Sequence, residues 1–127
     1  MGNYGRIAVL AARMGRAGAL HPSDAWKQAA EKVIPESPSG REKGCPRESF
    51  LALCEQGWVQ GLPVGAYTES VENKRYVIQA VETLRKTPFL ASVSASELWR
   101  VVQGGDKHHN GQMDVVLALW NEGLLRR

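Results

Sequence analysis

Residues 116–125 read VLALWNEGLL, and residues 50–59 read FLALCEQGWV. In both stretches apolar side chains recur every three or four residues, and a glycine follows the apolar run, at Gly57 and at Gly123. This spacing is typical of an amphipathic helix, and a glycine after the last turn serves as a left-handed C-cap. The two stretches therefore predict two helices that end in the same way.

The helical period of these two stretches recurs elsewhere in the chain, whereas the alternation of a half-buried strand does not. Pro22 and Pro46 suit the first turn of a helix, where a missing N–H costs nothing. Ser94 and Glu97 have the spacing of a capping box. The sequence predicts an all-α fold of six helices. Their apolar faces run from Ile7 to Met14, Trp26 to Val33, Phe50 to Trp58, Val77 to Leu84, Leu98 to Val102 and Met113 to Leu124.

The six predicted helices form two similar sets of three. Trp26 and Trp99 coincide when the sets are aligned, so we expect both in the core. Across the three aligned blocks, 10 of 25 positions are identical. The blocks pair 4–13 with 76–85, 23–27 with 96–100, and 50–59 with 116–125.

This internal similarity predicts a single domain, 1–127, built from two pseudo-repeats of three helices. The first pseudo-repeat spans 3–60, a crossing segment spans 61–69, and the second pseudo-repeat spans 70–127. Three helices in about 60 residues bury little surface alone, so we expect the two units to share one core.

Length and composition restrict the class of protein. The chain has 127 residues, of which 43% are hydrophobic and 23% charged, which argues against disorder. No apolar run approaches the roughly 20 residues that a membrane helix needs. Arg13 and Arg16 interrupt the apolar stretch that a signal peptide would require. We therefore expect a cytoplasmic protein without a membrane partner.

Two basic segments that contain glycine precede the third helix of each set. They are 41–47, REKGCPR, and 107–113, KHHNGQM. Free N–H groups and the helix dipole favour an anion at a helix N-terminus, although Glu48 and Asp114, near the third helical position, weaken this case. Ordinary solvated loops are the alternative interpretation. The candidate residues for binding an anion or a nucleic acid are Arg41, Lys43, Arg47, Lys107, His108 and His109.

The two cysteines, Cys45 and Cys54, are predicted not to pair, because a helix between them separates them by about 13 Å. The same distance excludes a shared zinc ion. Cys54 lies on an apolar face and is predicted to be core. Cys45 lies at a helix start among cations, where a nearby His108 or His109 would make a nucleophile–base pair. A cap role is the alternative for Cys45.

Signatures of catalysis are otherwise absent from the sequence, which contains no P-loop, dinucleotide fingerprint, HExxH or GxSxG motif. We therefore assign no catalytic residue, metal ligand or cofactor, and favour a protein that is not an enzyme. The stretch 50–63 also resembles the last helix and first turn of a winged helix, although no two-stranded wing follows it.

Three stretches resemble a family of small uncharacterised bacterial proteins, filed as a domain of unknown function. They read SGREKGCPRESFLALCEQGWVQGLP at 39–63, ENKRYVIQAVETL at 72–84 and QMDVVLALWNEGLL at 112–125. The resemblance runs from near Tyr4 to the C-terminal helix. It implies a bacterial or phage origin and a compact helical domain, and it implies no activity.

Three functional hypotheses remain open at this point. The first is a non-catalytic module that contacts nucleic-acid phosphates through the two basic segments. The second is a protein-interaction module, such as an adaptor or a phage-type inhibitor of a host system. The third is an enzyme that uses Cys45 or the segment with His108 and His109.

Overall fold

The structure, a computed structural model, describes residues 2–103 and 110–127. Six helices of nine residues or more, a single-turn helix and a 3-10 turn make up the regular structure of this part of the chain, which confirms the all-α class. The helices are α1 Asn3–Gly18, α2 Pro22–Val33, α3 Pro38–Arg41, α4 Gly44–Glu55, α5 Val71–Lys86, α6 Ala95–Gln103 and α7 Gln112–Asn121, and the 3-10 turn is Pro88–Ser92.

Side-chain caps fix the starts of three of the long helices. The His21 Nδ1 atom accepts a hydrogen bond from the Ser23 N–H at 3.1 Å, and Pro22 follows as the first residue of α2. Ser70 caps α5 through its hydroxyl oxygen. The Ser94 hydroxyl accepts the Glu97 N–H at 3.2 Å, which is the hydroxyl half of the predicted capping box.

Two glycines end α4 and α7 in the same geometry. Gly57 has φ +77° and Gly123 has φ +72°, the left-handed region that glycine adopts without steric cost. The Leu53 carbonyl then accepts the Trp58 N–H at 3.2 Å, and at the end of α7 Leu124 donates in the same way to the Leu119 carbonyl at 2.9 Å. These bonds are those of a Schellman cap, so the predicted glycine caps are confirmed.

The chain segments that leave these two caps pair with one another. Val59 and Leu125 form an isolated antiparallel bridge, in which Gln60 donates to the Leu124 carbonyl at 2.9 Å and Arg126 donates to the Trp58 carbonyl at 2.7 Å. Val59 and Leu125 occupy corresponding positions in the alignment of the two sets. Within the described residues this bridge is the only strand-type pairing, and no two-stranded wing follows α4.

The order of the short elements differs between the two halves. The single-turn helix α3 lies between the second and third long helices of the first half, whereas the 3-10 turn lies between the first and second long helices of the other. The cap geometry alone does not establish a duplicated three-helix unit, so the pseudo-repeat stays a prediction.

Helix α7 lies at the centre of the fold. It packs against α1, α4, α5 and α6, and eight of its ten residues are buried. Trp26 and Trp99, with 1% and 3% of their surfaces exposed, belong to the one core cluster that both halves supply, as predicted. Cys54 is also core, and burial raises the pKa of its thiol. Both Cys45 and Cys54 are free thiols.

The first basic segment, 41–47, is predicted to be a loop, but most of it is helical in the structure. Arg41 is the last residue of α3 and Arg47 lies within α4, which begins at Gly44, two residues before Pro46. Glu48 is consequently the fifth residue of α4, and no acid lies in the first turn of that helix. The reason is local: Ser37 caps α3 through its hydroxyl oxygen, which leaves only a two-residue turn before α4.

Candidate functional site

A cleft of about 610 Å³ opens between α2, α3 and the first half of α4, and is called the charged cleft below. Its volume lies within the range of roughly 300–1,000 Å³ that ligand pockets occupy. Trp26 and Leu51 supply its apolar lining, and Ser23 its hydroxyl group. Most of the other side chains that line it carry a charge.

Three cations line the charged cleft, namely Lys27, Arg41 and Arg47. One Nη atom of Arg41 donates to the carbonyl oxygens of Ile34 and Pro35, which anchors the guanidinium at the end of α2. The Nε atom of Arg47 lies 3.4 Å from the Glu48 carboxylate. Each guanidinium therefore keeps nitrogen atoms for which no partner is seen among the described residues.

Four carboxylates line the same cleft, at Asp24, Glu31, Glu42 and Glu48. Glu48 is already engaged, because it also accepts the hydroxyl hydrogen of Thr68. The cations and carboxylates of this cleft thus nearly balance, and the carboxylates are in excess by one. A dense array of phosphates would meet like charges here.

Trp26 is the most buried residue that lines the cleft, with 1% of its surface exposed. Its ring packs against Phe50 at 5.4 Å between centroids. The indole Nε1 atom is buried and has no hydrogen-bond partner, the one such side-chain atom found in the described part of the chain. Because most buried polar groups are hydrogen-bonded, this N–H stands out from its surroundings.

The structure brings together two of the six residues predicted to bind an anion. Arg41 and Arg47 share the charged cleft, whereas Lys43 is exposed and lies over the Tyr4 ring, with Nζ 5.4 Å from the centroid. The other three predicted residues, Lys107, His108 and His109, lie outside the described residues.

A second cleft, of about 390 Å³, lies where α4, α5 and α7 begin, and is called the amide cleft below. Cys45 lines it, half-buried in the first turn of α4. The Gln112 amide donates to the Asn73 side-chain oxygen at 3.2 Å and accepts the Asn110 N–H at 2.6 Å. No histidine lines this cleft within the described residues, so the hypothetical partners of Cys45 lie outside them.

One carboxylate, Glu55, holds the segment that crosses between the halves. One of its oxygens accepts the N–H groups of Tyr67 at 2.8 Å and Thr68 at 3.3 Å, and the other pairs with the Lys74 ammonium. The hydrogen bond from Lys74 and the two backbone N–H groups hold the pKa of Glu55 below its ordinary value, although burial acts in the opposite direction. This contact joins the crossing segment to α4 and α5.

Sequence reasoning missed the contribution of α2 to the charged cleft. Asp24, Lys27 and Glu31 are spaced three and four residues apart, which places them on one polar face of that helix. That spacing was the available signal. What it could not show is that this face lies opposite Arg41 and Arg47.

The described residues contain neither a cluster of metal ligands nor a helix that could span a membrane. No three histidine, cysteine or acidic side chains in residues 2–103 and 110–127 converge as metal ligands would. In the same part of the chain, every helix is too short or too polar to cross a bilayer.

Comparison with known proteins places the chain in a family. A family model described as "Family of unknown function (DUF6979)" matches residues 1–126, so the chain belongs to that family. This result confirms the resemblance found in the sequence. No curated protein and no solved structure matches the chain.

Proposed function

For this member of a family of unknown function, we propose a non-catalytic binding module that holds a segment of a protein partner in the charged cleft. The observation that carries the proposal is the presence of three cations and four carboxylates in one cleft beside a buried tryptophan. A polypeptide segment that carries both signs of charge complements such a lining.

The same lining disfavours a nucleic acid in this cleft. Phosphate backbones are bound by surfaces whose cations outnumber their acids, because neutralising phosphates supplies most of the affinity. Here Asp24, Glu31 and Glu42 would face the phosphates together with the cations. The protein-partner hypothesis is therefore the better supported one, and nucleic-acid binding becomes an outcome of the test.

The position of the Cys45 thiol supports a binding function over a catalytic one. Cys45, the side chain on which a catalytic hypothesis rested, lines the amide cleft and not the charged cleft. The guanidinium groups of the charged cleft are anchored by carbonyls and by Glu48, an arrangement that suits recognition of a fixed partner geometry.

The test is a selection of short peptides from a displayed library on the immobilised protein, followed by fluorescence-anisotropy titration of the enriched peptides. We expect enriched peptides to carry acidic and basic residues together, and to lose binding when Lys27 and Arg47 are both replaced by alanine. Labelled duplex DNA, single-stranded DNA and RNA are titrated in parallel at about 50 and about 200 mM salt.

The matched control is the replacement of Arg6 and Lys32 by alanine, which removes the same charge from exposed positions outside the cleft. This variant should bind the peptides like the wild type. If no peptide is enriched, or if the cleft variant binds as well as the control, the proposal is wrong. Nucleic-acid binding that weakens steeply with salt and is lost in the cleft variant would instead favour phosphate recognition.

A further inference from the structure

The indole N–H of Trp26 points to a specific feature of the ligand. An indole nitrogen donates one hydrogen bond and accepts none, so only an acceptor atom can satisfy it. Trp26 is 1% exposed, and no acceptor in the described part of the chain reaches its Nε1 atom. A ligand bound in the charged cleft, which Trp26 lines, could satisfy this N–H only with an oxygen or another acceptor.

The charges next to Trp26 restrict the nature of that acceptor. Arg41 and Arg47 line the same cleft, and each uses one nitrogen atom in its contacts with the described residues. The remaining guanidinium nitrogens are suited to a negatively charged oxygen, because charge-assisted hydrogen bonds are the stronger ones. A monoanion fits better than a phosphate dianion, since Glu42 and Glu48 line the cleft beside the two arginines.

We propose that the charged cleft anchors its partner through a carboxylate. One carboxylate oxygen accepts the Trp26 indole N–H and the other pairs with Arg41 or Arg47. A cationic group near that carboxylate faces Asp24 and Glu31. This inference rests on the proposed function and names the chemical group that the cleft recognises.

Access to the indole requires a small rearrangement. The Nε1 atom is buried, and the cleft beside Trp26 is lined by long arginine, lysine and glutamate side chains. Side chains of this kind change rotamer on the picosecond-to-nanosecond scale, and in the proposal such a change opens the indole N–H to the carboxylate.

The test follows the indole N–H resonances of protein labelled with ¹⁵N at its four tryptophans. The Trp26 resonance is identified by its disappearance in Trp26→Phe. Three probes are titrated: a blocked peptide with one internal glutamate and one lysine, a peptide whose only carboxylate is its free C-terminus, and inorganic phosphate. The first two probes distinguish a side-chain carboxylate from a terminal one.

We expect a saturable downfield shift of the Trp26 resonance with at least one carboxylate peptide, while the other three tryptophan resonances stay in place. Of Arg41→Gln and Arg47→Gln, the variant that removes the pairing guanidinium should weaken that binding by about tenfold, the effect of losing one charge-assisted hydrogen bond. Arg6→Gln is the matched control and should leave the affinity unchanged, since Arg6 is exposed on α1.

Two results would overturn the carboxylate anchor. A shift with phosphate alone would assign the indole to a phosphate, and binding of library-selected peptides without any movement of the Trp26 resonance would exclude the indole from recognition. In the second case the proposed peptide-binding function is still supported, whereas the proposed contact between a carboxylate and Trp26 is wrong. If no peptide binds the cleft by anisotropy, the proposed function itself is wrong.

Discussion

The charged cleft and the amide cleft lie against corresponding tryptophans, Trp26 and Trp99, yet their polar groups are arranged differently. In the amide cleft, the buried amide of Gln112 is bonded to Asn73 and to the backbone of Asn110. Trp26 lines the charged cleft, and its buried indole N–H has no acceptor in the described chain. The buried amides of one cleft are hydrogen-bonded to each other, whereas the other cleft is lined by a tryptophan whose donor no described residue satisfies.

This difference distinguishes a cleft whose polar groups are satisfied within the protein from one that contains a candidate binding group. A satisfied network of amides fixes the helix starts that it joins, because each buried polar group would be costly without its partner. A buried donor that no described residue satisfies costs stability in the free protein, and binding of an acceptor would recover it. We expect variants in the two halves to distinguish these roles, with the largest effects at the core tryptophans.

Replacement of Trp99 by alanine should lower the free energy of unfolding by about 3–5 kcal/mol, the usual cost of truncating a core tryptophan. Trp99 is 3% exposed and packs edge-on against Tyr76, with 4.7 Å between ring centroids. Trp26→Ala should cost a similar amount, since Trp26 is equally buried. Urea unfolding at neutral pH measures both, and a cost below about 1 kcal/mol for either would show that its half does not depend on the tryptophan.

Removal of the Glu55 charge tests the link between the halves. Glu55→Gln should cost about 1.5–3 kcal/mol at neutral pH, because the carboxylate accepts two backbone N–H groups and pairs with Lys74. The pKa of Glu55 is lower in the folded protein than its ordinary value, so its contribution is present above that ordinary value, about 4.3. It is lost as the pH falls through the lowered pKa.

The measurement is urea unfolding of wild type and Glu55→Gln across acidic and neutral pH. The difference in stability should stay constant above about pH 5 and shrink in stronger acid. Glu82→Gln serves as control, since Glu82 is exposed on α5 and has no ion pair among the described residues. A stability difference between the two proteins that grows in acid would contradict the stabilising role of the ionised Glu55 carboxylate.

The smallest expected effect concerns the two glycine caps. Gly123→Ala should cost about 1 kcal/mol, because alanine is strained at positive φ even though open space surrounds the added methyl group. Gly57→Ala should cost more, because its methyl group would also lie 2.7 Å from a Val64 methyl carbon. Thermal unfolding of the two variants compares the caps directly, and equal costs would mean that Val64 moves aside freely.

The sequence predicted the helices and the core well, because both depend on local periodicity. Apolar spacing located the buried faces of α1 and α7, and Gly57 and Gly123 marked helix ends whose geometry is nearly the same. The segment at 41–47 was predicted less well. There the turn type depends on the short helix α3, whose cap at Ser37 has no periodic signal.

The charged cleft was predicted only in part. Arg41 and Arg47 were identified from the basic character of their segment, but the acids opposite them come from α2 and become neighbours only through tertiary packing. The sequence therefore indicated a basic site where the structure has a mixed one. The missing acceptor at Trp26 had no sequence signal, since a core tryptophan and a cleft tryptophan have the same pattern.

The central position of α7 has a consequence for synthesis of the protein. This helix follows the others along the chain, yet it packs against four of them and carries Leu125 to its pairing with Val59 just beyond its end. On a ribosome, the earlier helices emerge before the helix that fills the space between them. Until α7 has been synthesised, the apolar faces of the earlier helices lack their packing partner and remain partly exposed. During that interval these faces are the surfaces that a chaperone would bind.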